Sequence, residues 1–159
     1  MNELMLLTDG SVNARSKIGY GAYLSLPALG PSLDMLMTRV KVKKFEQTSS
    51  TKLELQTLLW ALSDIQSSVS KVIVYTDCQN IIGLRRRRDR FEKNDYYSKN
   101  NKRLNNYKLY QTFFSVTDQL DCEFIKMRGH LVSSQKNDID KIFTLVDRAS
   151  RNALREDTL

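Results

Sequence analysis

Cysteine and histidine are scarce in this chain. Its 159 residues include two cysteines, Cys78 and Cys122, neither in a CxxC pair, and a single histidine, His130. So few thiols argue against a disulfide framework and fit a reducing, cytoplasmic setting. The same scarcity argues against a zinc site of the usual Cys/His kind. Long hydrophobic runs are missing as well. No apolar stretch approaches the roughly 20 residues that span a bilayer, so no membrane partner is expected. The opening "MNELMLLTDG" has no basic region ahead of its apolar residues, and Asp9 comes too early for a secretory signal.

What the chain has in quantity is charge. Apolar residues make up 41% and charged residues 27%, a globular composition, and the length suits one domain spanning 1–159 with a real core. The formal net charge is +7, unevenly spread. The stretch "LRRRRDRFEKNDYYSKNNKR", residues 84–103, carries Arg85, Arg86, Arg87, Arg88 and Arg90 followed by Lys93, Lys99, Lys102 and Arg103. Only Asp89, Glu92 and Asp95 oppose them. Such a block points to a polyanionic partner, nucleic acid first.

Periodicity orders the rest. "LMLLT" and the alternating "YGAYLSL" read as strands, and the β-branched, basic "MLMTRVKVKKFEQT" reads as a third. Gly19, Gly21, Pro27, Gly30 and Pro31 punctuate this region, which predicts an antiparallel meander. "SSTKLELQTLLWALSDIQ" places Leu55, Leu58, Leu59, Leu62 and Ile65 at helical spacing. Ser49, Ser50 or Thr51 can cap that helix, and Thr51 with Glu54 has capping-box spacing. "KVIVYTD" lacks polar alternation, as a central strand covered on both faces should. Helices follow from Asn80 into the arginine run and over "LNNYKLYQTFFSVTDQL". "CEFIKMR" is then a strand, and "TLVDRASRNALRE" a closing helix.

Two aspartates end apolar strands, Asp9 after "LMLLT" and Asp77 after "KVIVYT", each preceded by threonine. If those strands lie side by side and parallel, both carboxylates emerge at one sheet edge, where α/β proteins place their sites. Glu54 sits at the border of its helix's apolar stripe, able to lean over the same edge. The alternative reading is dipole compensation by a first-turn acid. A fourth carboxylate is Asp147, with Thr144 at capping spacing and Val146, Ala149 and Ala153 forming a stripe toward the sheet. Ile139 and Ile142 extend that stripe backwards, which leaves Asp138 and Asp140 as rivals. Carboxylates brought together repel one another. An oxygen-only set of this kind fits hard divalent cations, Mg²⁺ above all with Mn²⁺ as a substitute. Two such ions clamp the attacking and leaving oxygens of a phosphodiester. The basic block and the acidic cluster then share one substrate.

These segments together resemble the ribonuclease H family. "TDGS" resembles its first-strand motif, "TSSTKLEL" the stretch around its helix glutamate, and "YTDCQNI" the segment with its second aspartate. "FIKMRGH" is similar to its fifth strand and catalytic-loop histidine, and "DRASRNAL" to its closing helix. The five occur in the family's order over nearly the whole chain. The resemblance implies an α/β fold with a mixed five-stranded sheet and helices on both faces. It implies two-metal endonucleolytic hydrolysis of the RNA strand of RNA–DNA hybrids by a monomer, leaving 5′-phosphate and 3′-hydroxyl ends. By that resemblance Asp9, Glu54, Asp77 and Asp147 hold metal, and His130 assists product release or proton movement. Ser11, Ser50 and Thr51 contact the hybrid, and the block 84–103, with Arg85, Arg86, Arg87, Arg88 and Arg90, is its basic handle.

Three departures from the family pattern stand out. Ser49, Ser50 and Thr51 stand where asparagines are usual, and their hydroxyls can still bond a 2′-OH. Phe124 replaces a tryptophan. "LVSSQKNDIDKIF" lengthens the span between His130 and Asp147. Two other classes remain open: a same-fold DNA nuclease, such as a resolvase or transposase core, and a non-catalytic binding module.

Overall fold

A computed structural model describes residues 3–27, 31–65, 69–128 and 131–157. Gly30, expected in a connection, and the Gly129–His130 pair lie outside those residues. The apolar runs become strands β1 (Glu3–Asn13), β2 (Ile18–Leu26), β3 (Lys41–Phe45), β4 (Lys71–Thr76) and β5 (Cys122–Lys126). They form one sheet in the order β3-β2-β1-β4-β5. β1, β2 and β3 pair antiparallel, whereas β4 runs parallel to both β1 and β5. The meander and the central position of β4 are as the sequence predicts. Helices α1 (Leu33–Met37), α2 (Ser50–Asp64), α3 (Gln79–Ile82), α4 (Leu84–Lys93), α5 (Tyr107–Gln119) and α6 (Asp138–Asp157) cover the sheet.

Strand alternation sends side chains to two cores, one on each face. Leu6, Tyr23, Val72 and Val74 pack with Leu55, Leu58 and Leu62 of α2, with Leu84 and Phe91 of α4 and with Phe113 of α5. On the other face Leu7, Ala22, Leu24 and Leu26 meet Leu36 of α1 and Ile142, Phe143 and Val146 of α6. Removal of these side chains from water is the main favourable term in folding. Phe124, in place of the family's tryptophan, packs on Phe113 with ring centroids 5.5 Å apart.

Two expectations of local structure are corrected. "MLMTRVKVKKFEQT" is not one strand: Leu33–Met37 is helical and only Lys41–Phe45 is extended. The Ser32 hydroxyl caps the helix by accepting from the Met35 amide at 3.3 Å, and Asp34 sits in its positive first turn. Leu36 alone is buried. The β-branched residues that favour extension begin only at Thr38 and Val40. The closing helix, in turn, starts at Asp138 rather than Thr144. Asn137 Oδ1 accepts from the Asp140 amide at 2.8 Å and Asp140 Oδ2 accepts from the Asn137 amide at 3.0 Å, a reciprocal capping box built with aspartate. Thr144 lies inside the helix, its hydroxyl donating to the Asp140 carbonyl at 3.0 Å.

Helix α2 lies unusually close to the strands beneath it. A Cβ on Gly21 would stand 2.0 Å from Thr57 Oγ1, and one on Gly10 would stand 2.9 Å from Leu53 Cδ2. Thr57 is fully buried and its hydroxyl is tied to the Leu53 carbonyl at 2.7 Å, so it has little room to yield. Gly21→Ala is therefore expected to destabilise the fold by about 1–3 kcal/mol, the usual range for overpacking. Urea unfolding measures it. The loss should shrink when Thr57→Ala is added, and equal losses in both backgrounds would contradict the contact.

Candidate active site

The β1–β4 register sets the site. The two strands are parallel and their last paired residues are Leu7 and Tyr75. Two residues further along each chain stand Asp9 and Asp77. Asp77 follows the end of β4 as expected, but Asp9 does not end its strand: β1 runs on to Asn13, still paired with β2, and only its pairing with β4 stops before Asp9. The turn after Asp77 is pinned from both sides: the Met127 amide donates to the Thr76 carbonyl at 2.7 Å, and the Cys78 amide to Thr76 Oγ1 at 3.1 Å. Cys78 packs half-buried against the core, and burial raises its thiol pKa.

Glu54 reaches the same point from α2. The cap of that helix is Ser49, whose hydroxyl accepts from the Lys52 amide at 3.4 Å; it is neither Ser50 nor Thr51. Glu54 therefore lies beyond the first turn, and the proposed Thr51–Glu54 capping box does not form. Dipole compensation does not account for the residue, because the first turn of α2 holds no acid. The glycine at position 10 admits its side chain, since a Cβ there would stand 3.3 Å from Glu54 Oε1. Ligand oxygens of Asp9, Glu54 and Asp77 all lie within 4.8 Å of one another. Among the described residues Glu54 Oε2 is buried with no hydrogen-bond partner, a costly state for a carboxylate oxygen unless a cation or proton answers it.

Electrostatics follow from this crowding. Burial, then the Glu54 and Asp77 charges and a carboxyl–carboxyl hydrogen bond with Asp147, push Asp9 up to about 9, against the lowering effect of the Gly10 amide. That amide donates to Asp9 Oδ1 at 2.9 Å. Burial, then the Asp77 charge, raises Glu54 to about 8. Asp147 stands on α6 beside Asp9 but outside the tight trio, its Oδ1 accepting from Arg151 Nε at 3.0 Å. Its rivals are placed differently. Asp140 lies two turns back, about 10.5 Å along the helix axis, with its carboxylate in the capping box, and Asp138 is exposed at the helix start.

The hydroxyl and arginine candidates divide. Ser11 is half-buried and its hydroxyl meets Ser150 Oγ at 3.1 Å, tying β1 to α6; Ser150 in turn donates to the Asp147 carbonyl at 2.9 Å. Ser50 is exposed and Thr51 half-buried at the start of α2. In α4, Arg88 makes a two-pronged bond to Asp118 at 2.6 and 2.9 Å and a third to Glu92 at 3.1 Å. Arg87 donates to the carbonyl and side-chain oxygens of Asn80, each at 2.6 Å. Both therefore anchor the helix. Arg85, Arg86 and Arg90 are exposed, with the Arg85 guanidinium 4.8 Å from the centre of the Phe124 ring. His130 lies outside the described residues. Arg151, which holds Asp147, was not among the sequence candidates; its i,i+4 spacing from that aspartate was the available signal.

Raised carboxyl pKa values have a sign for stability. Unfolded, Asp9 and Glu54 lose their protons near pH 4; folded, they keep them to about 9 and about 8. The native state binds more protons in between, so their contribution is complete below about pH 4 and is lost as pH rises through 8 to 9. In EDTA, the melting temperature of Asp9→Asn is expected to fall less between pH 5 and 9 than that of the wild type. Thermal melts across that range test this, and parallel curves would contradict it.

Set against protein-family models, residues 1–152 match the model described as RNase H. No curated protein matches the chain significantly.

Proposed function

The chain belongs to the ribonuclease H family, and from that premise we propose that it hydrolyses the RNA strand of RNA–DNA hybrids, using Mg²⁺ with Mn²⁺ as a substitute. The observation that carries this reading is the trio itself. Three carboxylates from β1, α2 and the end of β4 converge within 4.8 Å, and among the described residues one of their oxygens is buried without a partner. Such an all-oxygen donor set suits a hard divalent cation. Asp9, Glu54 and Asp77 would hold the metal, with Asp147 beside them. Divalent cations held there would supply charge stabilisation to the attacking and leaving oxygens of a phosphodiester, and the expected products are a 5′-phosphate and a 3′-hydroxyl.

The chain's own groups account for the rest of the reading. The Ser50 and Thr51 hydroxyls, at the start of the helix that bears Glu54, would bond 2′-hydroxyls, the groups that distinguish RNA from DNA. Arg85, Arg86 and Arg90 offer exposed charge to the hybrid's phosphates, which fix position without reading sequence. Binding by those three is expected to be salt-sensitive and tolerant of base sequence. His130, beyond β5, serves product release or proton movement.

Asp77→Asn removes one ligand charge from an exposed strand end and leaves both cores intact. It is expected to keep or raise its melting temperature while losing at least about a hundredfold in cleavage rate. The assay sets a hybrid beside duplex DNA, duplex RNA and a four-way junction of matched length, in Mg²⁺ and in EDTA. Cleavage of the hybrid alone, dependent on the metal, is the expected outcome. Preferential cutting of DNA or of the junction would make this a DNA nuclease on the same fold. Activity within threefold of wild type in Asp77→Asn would remove that residue from the site.

A further inference from the structure

Beside Asp77 and Asp147, a half-open cleft of about 310 Å³ is lined by Arg128, Lys136 and Arg148 together with Asp140, whose carboxylate is held in the cap of α6. That volume is at the lower end of the range for small-ligand sites, roughly 300–1,000 Å³. The cationic wall is not an extension of the arginine block, which lies on α4. Arg128 follows β5, Arg148 stands on α6, and Lys136 comes from the segment that lengthens the span before Asp147. Among the described residues no carboxylate pairs with Arg128, Lys136 or Arg148, whereas Arg151, also on this wall, is committed to Asp147.

Lys136 is the most firmly held of the three. Its Nζ donates to Thr144 Oγ1 at 2.8 Å. That hydroxyl has already given its own proton to the Asp140 carbonyl at 3.0 Å, so it can only accept from the ammonium. Thr144 precedes Asp147 by three residues and shares its helix face. The backbone is fixed as well, because the residue after Lys136 is Asn137, one half of the reciprocal cap on α6. One of the three ammonium donors is used and two remain. An ammonium oriented in this way, in a cleft bordered by two of the site carboxylates, is poised for an anion lying next to the scissile phosphate.

We propose that Lys136, with Arg128 and Arg148 around it, forms a subsite for the RNA phosphate neighbouring the scissile one, and that Lys136 positions the RNA strand over the carboxylates. This rests on the reading of the protein as a hybrid nuclease. A bond between an ammonium and a phosphate oxygen is charge-assisted, so its loss is expected to weaken binding about tenfold.

Two measurements test it. In steady-state cleavage with Mg²⁺, Lys136→Gln should raise KM about tenfold and change kcat by less than about threefold, while Lys136→Arg should recover most of the loss. In anisotropy titrations, with EDTA to stop cleavage, hybrids carry a single neutral methylphosphonate at successive RNA positions. One position should weaken the wild type about tenfold yet leave Lys136→Gln unchanged, the coupling expected of direct partners. Methylphosphonate losses equal in the two proteins at every position would overturn the subsite, as would an unaltered KM in Lys136→Gln. A wild-type protein that binds the hybrid no better than duplex DNA would instead overturn the parent reading, and this one with it.

Discussion

Mutual repulsion among Asp9, Glu54 and Asp77 is the constraint around which the molecule is arranged. Three carboxylates with ligand atoms inside 4.8 Å cannot all ionise at neutral pH without a counter-charge. The sheet and the closely packed α2 impose that proximity through structure that is stable for other reasons. Parallel pairing of β1 with β4 brings Asp9, inside β1, level with Asp77 just past the end of β4. Small residues at positions 10 and 21 let α2 settle low enough for Glu54 to overhang them. Two apolar cores, one on each face, hold the scaffold while the site itself works against it. Stability given up at a site in favour of function is a common arrangement in enzymes.

The positive charge is likewise divided by role. Arg87 and Arg88 spend their donors on Asn80, Asp118 and Glu92, and so lock α4 to α3 and α5. Arg85, Arg86 and Arg90 are exposed, on a helix that its neighbours keep rigid. Arg103 is similarly occupied: its guanidinium stacks 4.8 Å from both the Tyr97 and Tyr107 ring centres and pairs with Asp95 at 2.9 Å. A run of like charge thus contains both the fastening of an element and the surface it displays. Because exposed ion pairs contribute little each, the anchoring role of Arg88 rests on its two-pronged geometry and shared partners.

Much of this was legible in the sequence, because aspartates directly after apolar strand runs and a glutamate on the border of an apolar stripe are one-dimensional signals of a shared edge, even though β1 continues past Asp9 to Asn13. The first two strands, α2 and the central β4 followed from periodicity alone, and of the third only Lys41–Phe45 is extended. What escaped depended on distant or ambiguous partners. Helix α1 was hidden because its few apolar residues fit a strand as readily as a single turn, until the Ser32 cap is seen. The start of α6 was obscured by Thr144, whose spacing mimics a cap while its hydroxyl in fact bonds within the helix. The Asn137–Asp140 pair that does cap it uses aspartate where glutamate is the commoner signal. Arg88 and Asp118 are thirty residues apart in the chain, and no local pattern connects them. Lys136 lay in a segment that read only as extra length.

The central claim is that the carboxylate trio is a divalent-cation site held partly protonated until the cation arrives. Calorimetric titration of Mn²⁺ at pH 7, in two buffers of different ionisation enthalpy, tests it most directly. Asp9 and Glu54, raised to about 9 and about 8, should give up protons as the metal binds, so the observed heat should depend on the buffer. Asp9→Asn should bind far more weakly and release fewer protons. No binding by the wild type, or binding whose heat is the same in both buffers and unchanged in Asp9→Asn, would contradict the account.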